Sequence, residues 1–155
     1  PTLNECFSAV KNKGAFLNDA PIKVSSKDKL SDGLIATGFP YYDYNKIDDY
    51  TEILKVFMQK TRGVRRMGSA AIDLAYVACG RFDSFYEYNL NAWDVAAGSL
   101  LVEEAGGQVS TFKNGNDFIF GILFGAGLLI CLNQHLFRKG FDCDSEKNMR
   151  SSYKK

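Results

Sequence analysis

Residues Asn91–Gly107 read NAWDVAAGSLLVEEAGG and predict a helix against which other elements pack. Small side chains after its first turn allow a neighbouring element to approach closely, and the paired glycines Gly106 and Gly107 suit the left-handed conformation that ends many helices. Asp94 lies in the first turn, where the helix dipole favours a carboxylate. Such a carboxylate either caps the helix, which is the commoner role, or binds a hard cation.

The composition is typical of a globular protein with a core and no strong charge preference. The chain has 155 residues, 46% of them hydrophobic, and a net charge of +1. Because a near-neutral chain creates no global field that attracts nucleic acid or an anionic membrane, we expect neither partner. The four cysteines are widely spaced and form no CxxC pair. This usage is typical of reduced thiols and predicts a cytoplasmic protein.

Strand and helix patterns alternate along most of the chain. Near the N-terminus, Cys6–Val10 and Ala15–Leu17 flank a polar turn, and Pro21–Ser25 reads as a further extended piece. After the polar boundary Ser26–Asp32 the hydrophobic period changes, and strands alternate with helices. The strands are predicted at Leu34–Phe39, Thr61–Arg66, Phe82–Tyr88 and Gln108–Phe112, and the helices at Asn45–Lys60, Gly68–Cys79 and Trp93–Gly106.

The chain is predicted to have three segments. Residues 1–26 are remnant strands of an N-terminal antiparallel-sheet domain, 27–121 are an α/β domain, and 122–155 are a divergent tail. Phe118–Leu132 is an uncharged run of fifteen residues, shorter than the roughly 20 that a membrane-spanning helix needs. We expect a buried strand–turn–strand there. A membrane-associated segment and an altered reading frame are the alternatives.

Outside the central helix, some residues suit either a structural or a functional role. The aromatic loop Tyr41, Tyr42 and Tyr44 could stack on a ligand, but we expect it to cover the edge of the core. Gly68–Ala71 opens a helix whose free amides could meet an anion or a sugar hydroxyl, although tight helix packing explains the small residues equally well. Glu87 falls near the end of a strand, where α/β sheets present ligands.

Two strings identify a family resemblance. WDVAAGSLLVEEAGG, from Trp93 to Gly107, resembles the C-terminal signature of the inositol monophosphatase family of metal-dependent, lithium-sensitive sugar phosphatases. RRMGSAAIDLAYVACGRFDSFYE, ending at Glu87, resembles the same family. The resemblance runs from Pro1 to about Gly121. It implies the C-terminal part of a layered αβαβα sugar-phosphatase fold, an α/β class with a mixed sheet flanked by helices.

The resemblance also implies roles for individual residues. Asp94 matches a magnesium ligand of the family's active site, which makes it the candidate catalytic and metal-binding residue, with Mg²⁺ as cofactor. Glu87 matches a glutamate that accepts hydrogen bonds from substrate hydroxyls. The family's Gly-Ser/Thr-Ala segment lines the substrate site. The substrate-binding candidates are therefore Gly68, Ser69, Ala70 and Glu87. Asp83 has no comparable support and is predicted to be structural.

The rest of the family's metal site is missing from the sequence. Mg²⁺ needs near-octahedral oxygen ligation, so phosphate-ester hydrolysis on this metal requires several carboxylates. The family supplies the others from an upstream glutamate and a DPxDGT segment, and no DPxDG string occurs here. The chain also starts at Pro1 rather than Met. We therefore expect a fragment of a Mg²⁺-dependent phosphomonoesterase for inositol monophosphate or a related sugar phosphate, inactive alone and homodimeric when intact.

Other functions stay open at the level of sequence. Enzymatic alternatives are a 3′(2′),5′-bisphosphate nucleotidase and a fructose-1,6-bisphosphatase-type relative. A different class is a non-catalytic interaction module with the same fold, since some relatives are reported to bind RNA polymerase or RNA machinery. A membrane-tethered form rests only on Phe118–Leu132.

Overall fold

The computed structural model describes residues 3–39, 44–45, 47–111 and 128–132. Its elements follow the order expected from the sequence, with each boundary within a few residues of the predicted one. They are β1 (Phe7–Val10), β2 (Gly14–Leu17), β3 (Ala20–Pro21), a 3₁₀ turn (Leu30–Asp32), β4 (Leu34–Thr37), α1 (Ile47–Lys60), β5 (Gly63–Arg65), α2 (Ala70–Ala78), β6 (Ser84–Tyr88), α3 (Ala92–Glu104), β7 (Gln108–Thr111) and β8 (Leu128–Leu132).

A three-stranded antiparallel sheet, in the order β1-β2-β3, precedes the α/β part of the chain. The β1–β2 turn is attached to α3 because Glu104 accepts hydrogen bonds from the backbone N–H groups of Asn12 at 2.7 Å and Gly14 at 2.9 Å. The predicted strand–turn–strand is confirmed. The third extended piece is shorter than Pro21–Ser25, since its ladder pairs only Ala20 and Pro21 with β2.

The second sheet is mixed and has the strand order β5-β4-β6-β8-β7. β4 pairs in parallel with β5 and β6, whereas β8 runs antiparallel to both β6 and β7. The helices between the parallel strands provide the crossovers that such strands require. This arrangement is the layered α/β fold predicted from the sequence.

Successive residues of the central strands face opposite layers of helices. On one face, Ile35 and Tyr86 pack in a cluster with Tyr50 and Phe57 of α1. On the other face, Ala36 and Phe85 belong to a larger cluster formed with α2 and α3. Because side chains alternate across a strand, this division places α1 on one side of the sheet and the α2–α3 pair on the other. The core therefore has two layers around one sheet.

The close approach predicted for α3 occurs against α2. A Cβ added at Gly98 would lie 2.5 Å from Cδ1 and 2.6 Å from Cβ of Leu74. Leu74 is fully buried, so the space cannot be relieved by turning its side chain toward solvent. The small residue at this position sets the spacing of the two helices that flank the candidate site.

The tail contributes an interior strand of the mixed sheet. Leu128–Leu132 forms β8, which lies between β6 and β7. This confirms the expected second strand of the strand–turn–strand. Its first strand and the turn predicted at Asn114–Gly115 lie outside the described residues. The segment boundaries at 26 and 121 stay predictions. In the part of the chain that the structure describes, no helix is long and apolar enough to cross a bilayer.

The expected aromatic cover of the core comes from a different residue. Tyr44 is 59% exposed, so the prediction that it covers the core is wrong, and Tyr41 and Tyr42 lie outside the described residues. Tyr50 of α1 fills this role instead, with its ring stacked on Tyr86 at a centroid distance of 5.5 Å. A helix residue fixed by the apolar face of α1 is better placed to cover the sheet than a loop residue.

Candidate functional site

The predicted site residues lie where β6 ends and where α2 and α3 begin. Glu87 is the next-to-last residue of β6, Ser69 precedes α2, and Asp94 lies in the first turn of α3. The charges of Asp94 and of Arg66, just before α2, both act on the carboxyl of Glu87. The structure therefore brings Asp94 and Glu87 into electrostatic range of each other. It places Gly68, Ser69 and Ala70 at the N-terminus of a helix on the same side of the sheet as Glu87.

Asp94 both caps its helix and keeps one oxygen available. Its Oδ2 accepts hydrogen bonds from the backbone N of Asn91 at 3.0 Å and from Asn91 Nδ2 at 3.3 Å. The bond from the Asn91 backbone N is one half of a capping box, an arrangement that satisfies amides at the start of a helix. Within the described residues, no hydrogen bond reaches Oδ1. The two roles weighed for this side chain are therefore compatible, because they use different oxygens.

Glu87 lies in a space created by a glycine. Only 8% of its surface is exposed, and its Cδ and both Oε atoms lie 2.1 Å from the point that a Cβ at Gly38 would occupy. A side chain at residue 38 would therefore displace the carboxyl group. We did not predict Gly38 as part of the site. Its signal in the sequence is a glycine directly after the buried strand LIAT, at the carboxyl end of the sheet.

Burial raises the pKa of Glu87 to about 7, and repulsion from Asp73 and Asp94 acts in the same direction. Arg66 opposes the change by favouring the ionised form. Near its pKa such a carboxyl is present in both protonation states, so it can accept a hydrogen bond when ionised and donate one when protonated. Shifts of this kind are concentrated at functional sites, although structural groups show them too.

Asp73 is a second acid that the sequence analysis did not single out. It lies within the apolar helix α2, is fully buried, and neither carboxyl oxygen has a hydrogen-bond partner within the described residues. Burial raises its pKa to about 7. The available signal was an aspartate inside AAIDLAYVA, a run that is otherwise uncharged. An acidic residue among core positions is either neutral or paired.

The segment before α2 is open to an approaching ligand. Gly68 has φ +87°, and apart from its two chain neighbours no described residue has an atom within 4 Å of the place where its Cβ would be. Ser69 occupies the N-cap position, but its hydroxyl makes no capping hydrogen bond. Ala70 then begins the helix and is buried. These features leave backbone amides and one hydroxyl available at the helix terminus, where an anion or a hydroxyl is favoured.

Described residues do not form a complete metal site. Within ranges 3–39, 44–45, 47–111 and 128–132, no group of three His, Cys, Asp or Glu side chains converges closely enough to hold a metal ion. Asp94 offers one oxygen, and Mg²⁺ needs several. The residues of this chain that the structure describes therefore supply only part of the ligand set that a magnesium ion needs.

Comparison with known proteins gives the family. The model of the inositol monophosphatase family matches residues 1–148. The chain belongs to the inositol monophosphatase family. The match continues beyond Gly121, where we expected the resemblance to end.

Relatives within this family carry two kinds of name. The putative Nus factor SuhB of Neisseria meningitidis serogroup B is 51% identical over 117 residues, which are 76% of this chain and 44% of that protein. The inositol-1-monophosphatase of Rhizobium meliloti is 43% identical over 136 residues, or 88% of this chain and 49% of the relative. The chain thus spans about half the length of the curated relatives it matches.

Solved structures of family members share the fold. The inositol monophosphatase from Anabaena (Nostoc) sp. is 40% identical and superimposes with a TM-score of 0.79 over 89% of this chain and 54% of that one. The layered α/β architecture of this chain is therefore the architecture of inositol monophosphatases. Both the family and the fold predicted from the sequence are confirmed.

Proposed function

We propose that this chain forms the sugar-binding part of a Mg²⁺-dependent phosphomonoesterase that hydrolyses inositol monophosphate, or a related sugar phosphate, to the free polyol and phosphate. The main support is the placement of Glu87, whose buried carboxyl lies against Gly38 and within the field of Asp94. Membership in the inositol monophosphatase family and the 43% identity to the Rhizobium meliloti enzyme support the substrate class.

In this proposal Glu87 and the start of α2 orient the sugar. The ionised carboxyl of Glu87 accepts hydrogen bonds from substrate hydroxyls, and its burial strengthens them by excluding competing water. The amides that follow Gly68 contact the sugar or its phosphate, because the open space at this glycine lets a ligand approach the backbone. Fixing the substrate at both points positions the ester bond relative to Asp94.

Asp94 is the proposed magnesium ligand of this chain. Its Oδ1 is available while Oδ2 maintains the start of α3. Because the described residues supply only this candidate oxygen, turnover requires further carboxylates from outside this set. We infer that the chain acts as the substrate-side part of the enzyme and is inactive alone.

Binding and turnover test the proposal separately. In NMR titrations with inositol 1-phosphate, we expect shifts at the amides of Ser69 and Ala70. Glu87→Gln should weaken this binding about tenfold, while Glu52→Gln, at an exposed position of α1, should leave it unchanged. Shifts confined to other surfaces, or equal binding by the Glu87 variant, would refute the assignment. Magnesium-dependent release of phosphate by this chain alone would refute its inactivity.

The same titration ranks the enzymatic alternatives. A 3′(2′),5′-bisphosphate nucleotidase would favour 3′-phosphoadenosine 5′-phosphate over inositol 1-phosphate, and a fructose-1,6-bisphosphatase-type enzyme would favour the bisphosphate sugar. We propose the inositol phosphate because the catalytic name among the similar relatives is inositol-1-monophosphatase.

The relatives named Nus factor SuhB favour a second candidate, a non-catalytic interaction module with the same fold. The near-neutral charge predicts no nucleic-acid partner. The name Nus factor, which several relatives carry, does not support that prediction. Trp93, 75% exposed beside Asp94, gives such a module an apolar contact point near the same helix end. Absence of inositol 1-phosphate binding, with the chain fully folded, would favour the module over the phosphatase.

A further inference from the structure

The two edges of the three-stranded sheet differ in how they are protected. β3 has only two residues, Ala20 and Pro21, and both its shortness and its proline hinder pairing with another strand. β1 reads FSAV and contains no charged residue, glycine or proline. Within the described residues, no strand pairs with the outer edge of β1. β1 is therefore the edge of this sheet that can accept a further strand.

The backbone groups on the outer edge follow from the hydrogen bonds on the other side of β1. The carbonyls of Cys6 and Val10 each accept a hydrogen bond of 2.9 Å from a backbone N–H at one end of β2. In an antiparallel strand the N–H and C=O groups of successive residues point to alternate sides. Phe7 and Ala9 therefore direct their N–H and C=O groups away from β2, toward the outer edge.

The face of α2 that lies under this sheet is only partly covered. Phe7 of β1 contacts Tyr76 of α2, with ring centroids 6.3 Å apart, so the sheet covers the later part of this face. Ile72 lies one turn before Tyr76 on the same face, and Ala71 lies beside it. Both Ile72 and Ala71 are exposed. The earlier part of the face is therefore apolar and uncovered.

The same division occurs on α3. Glu104, at its C-terminal end, binds the β1–β2 turn, and Leu101 on that face is buried. Ala97 and Trp93 continue the row toward the N-terminus and are exposed. The segment after β3 hydrogen-bonds to Ala105, just beyond α3, so the sheet extends from the C-terminal ends of the helices toward their N-terminal ends, with β1 as its last strand. The uncovered surface lies where the sheet would continue beyond β1.

We propose that a second copy of this chain docks here, with β1 antiparallel to β1, so that the two three-stranded sheets become one continuous sheet. A two-fold axis at Ser8 pairs Phe7 of one copy with Ala9 of the other, and each such pair exchanges both of its N–H···O bonds. Glu5 then lies opposite Lys11 of the second copy, a favourable pairing of opposite charges.

The surface favours a second copy over a different protein because it is complementary to itself. A two-fold contact uses the same patch on both partners. The outward donors and acceptors of β1 match about Ser8, and the acid and base at its two ends match across the axis. Beneath the continuous sheet, the uncovered helix residues of the two copies meet. These residues, called the apolar surface below, are Ala71, Ile72, Trp93 and Ala97. The net charge of +1 adds almost no repulsion between copies.

Sedimentation velocity combined with fluorescence tests the proposal on the chain itself. Trp93 is the only tryptophan and belongs to the apolar surface, so its emission reports on that surface directly. As the protein concentration rises, we expect dimers to form. The Trp93 emission should shift to shorter wavelength in parallel with the dimer fraction, because the indole leaves water in the dimer.

Two substitutions separate the strand edge from the apolar surface. Ala9→Pro removes an outward N–H and leaves the hydrogen bonds between β1 and β2 in place, so the dissociation constant of the dimer should rise about tenfold. Ile72→Lys places a charge in the apolar surface and should raise this constant by a similar factor. Met58→Lys, at an exposed position of α1 on the opposite side of the mixed sheet, is the matched control and should leave the dimer unchanged.

The outcomes decide whether this surface is the interface. A chain that remains monomeric at every concentration would overturn the proposal. So would a dimer that forms without a shift in Trp93 emission, or one that Ile72→Lys and Met58→Lys weaken equally, since the contact then lies elsewhere. If Ala9→Pro unfolds the chain, Ile72→Lys still decides the matter because its position is exposed. None of these readouts uses substrate or metal, so they are independent of the proposed function.

Discussion

The carboxyl group of Glu87 lies directly against Gly38, at 2.1 Å from the position that a Cβ at residue 38 would take. No real Cβ tolerates a neighbour at that distance, so the glycine that follows β4 and the acid on β6 depend on each other. The relationship explains how a carboxyl can be buried at the end of a parallel strand. It also makes the position of this carboxyl sensitive to a single methyl group on a neighbouring strand.

Substituting Gly38 with alanine should displace Glu87. Because the methyl group would meet the end of a flexible side chain, the carboxyl can move aside, and we expect a fall in the free energy of unfolding below the about 1–3 kcal/mol of overpacking in a rigid core, together with loss of inositol 1-phosphate binding. Gly63→Ala is the matched control on β5, because the nearest atoms to its Cβ lie 3.7 Å away. Urea unfolding and the NMR titration measure both effects. Normal binding by Gly38→Ala would show that Glu87 does not contact the substrate.

Stability should depend on pH through Asp73. Burial raises its pKa from an ordinary 3.8 to about 7, so between these values the folded state binds more protons than the unfolded state. The free energy of unfolding therefore falls as pH rises from about 4 to 7, by roughly 4 kcal/mol at most, and levels off above that range. Glu87 acts in the same direction.

Asp73→Asn is the test of this dependence. Urea unfolding of both proteins across the range should show their difference in stability changing between about pH 4 and 7 and staying constant above it. The lowered pKa of Glu104, caused by the backbone amides of Asn12 and Gly14, acts at acid pH in both proteins and cancels from the difference. A difference that is constant throughout would mean that Asp73 is ionised in the folded chain.

The spacing of α2 and α3 should be set by Gly98. Gly98→Ala improves helix propensity by about 1 kcal/mol but forces the methyl group into Leu74, so we expect a net loss of roughly 1–2 kcal/mol. Leu74→Ala removes Cγ and Cδ1 but keeps the Cβ that lies 2.6 Å away. In that background the same glycine substitution should become less destabilising without becoming neutral, and a double-mutant cycle measures the coupling. Equal effects in both backgrounds would place the helices farther apart than described.

Asp83 should be structural, as predicted from the sequence. Its carboxylate joins Lys27, the start of β4 and Ser25, so Asp83→Ala should lower the free energy of unfolding by about 3–5 kcal/mol. The exposed pair of Arg81 with Glu5 is the comparison, and Glu5→Gln should have a much smaller effect. Chemical denaturation measures both. Equal losses would mean that solvent reaches the Asp83 network.

Most of the fold was predicted from local patterns because the spacing of apolar residues in each helix and strand matches the period of that type of element. The apolar face of α1 and the alternating strand β6 were both visible in the sequence. The position of β8 between β6 and β7 was not, since strand order depends on contacts between distant segments. A single sequence carries no direct record of such pairings.

The candidate site was predictable only where a motif marked it. Asp94 and Glu87 came from the family resemblance, and their assigned roles stay predictions. Asp73 and Gly38 carry no motif of their own that marks chemistry. Their importance follows from burial and from the distance between two strands, which appear only when the elements are assembled.

The central claim is that Asp94 presents an oxygen to a divalent cation beside Glu87 and the start of α2. Mn²⁺, a paramagnetic substitute for Mg²⁺, tests it directly by broadening amide NMR signals near its binding site. We predict weak binding that broadens the signals of Ser69 and Trp93. Asp94→Asn should lower the Mn²⁺ affinity about tenfold while keeping stability, because the amide oxygen still caps Asn91. Broadening centred on other carboxylates, or unchanged in Asp94→Asn, would contradict the account.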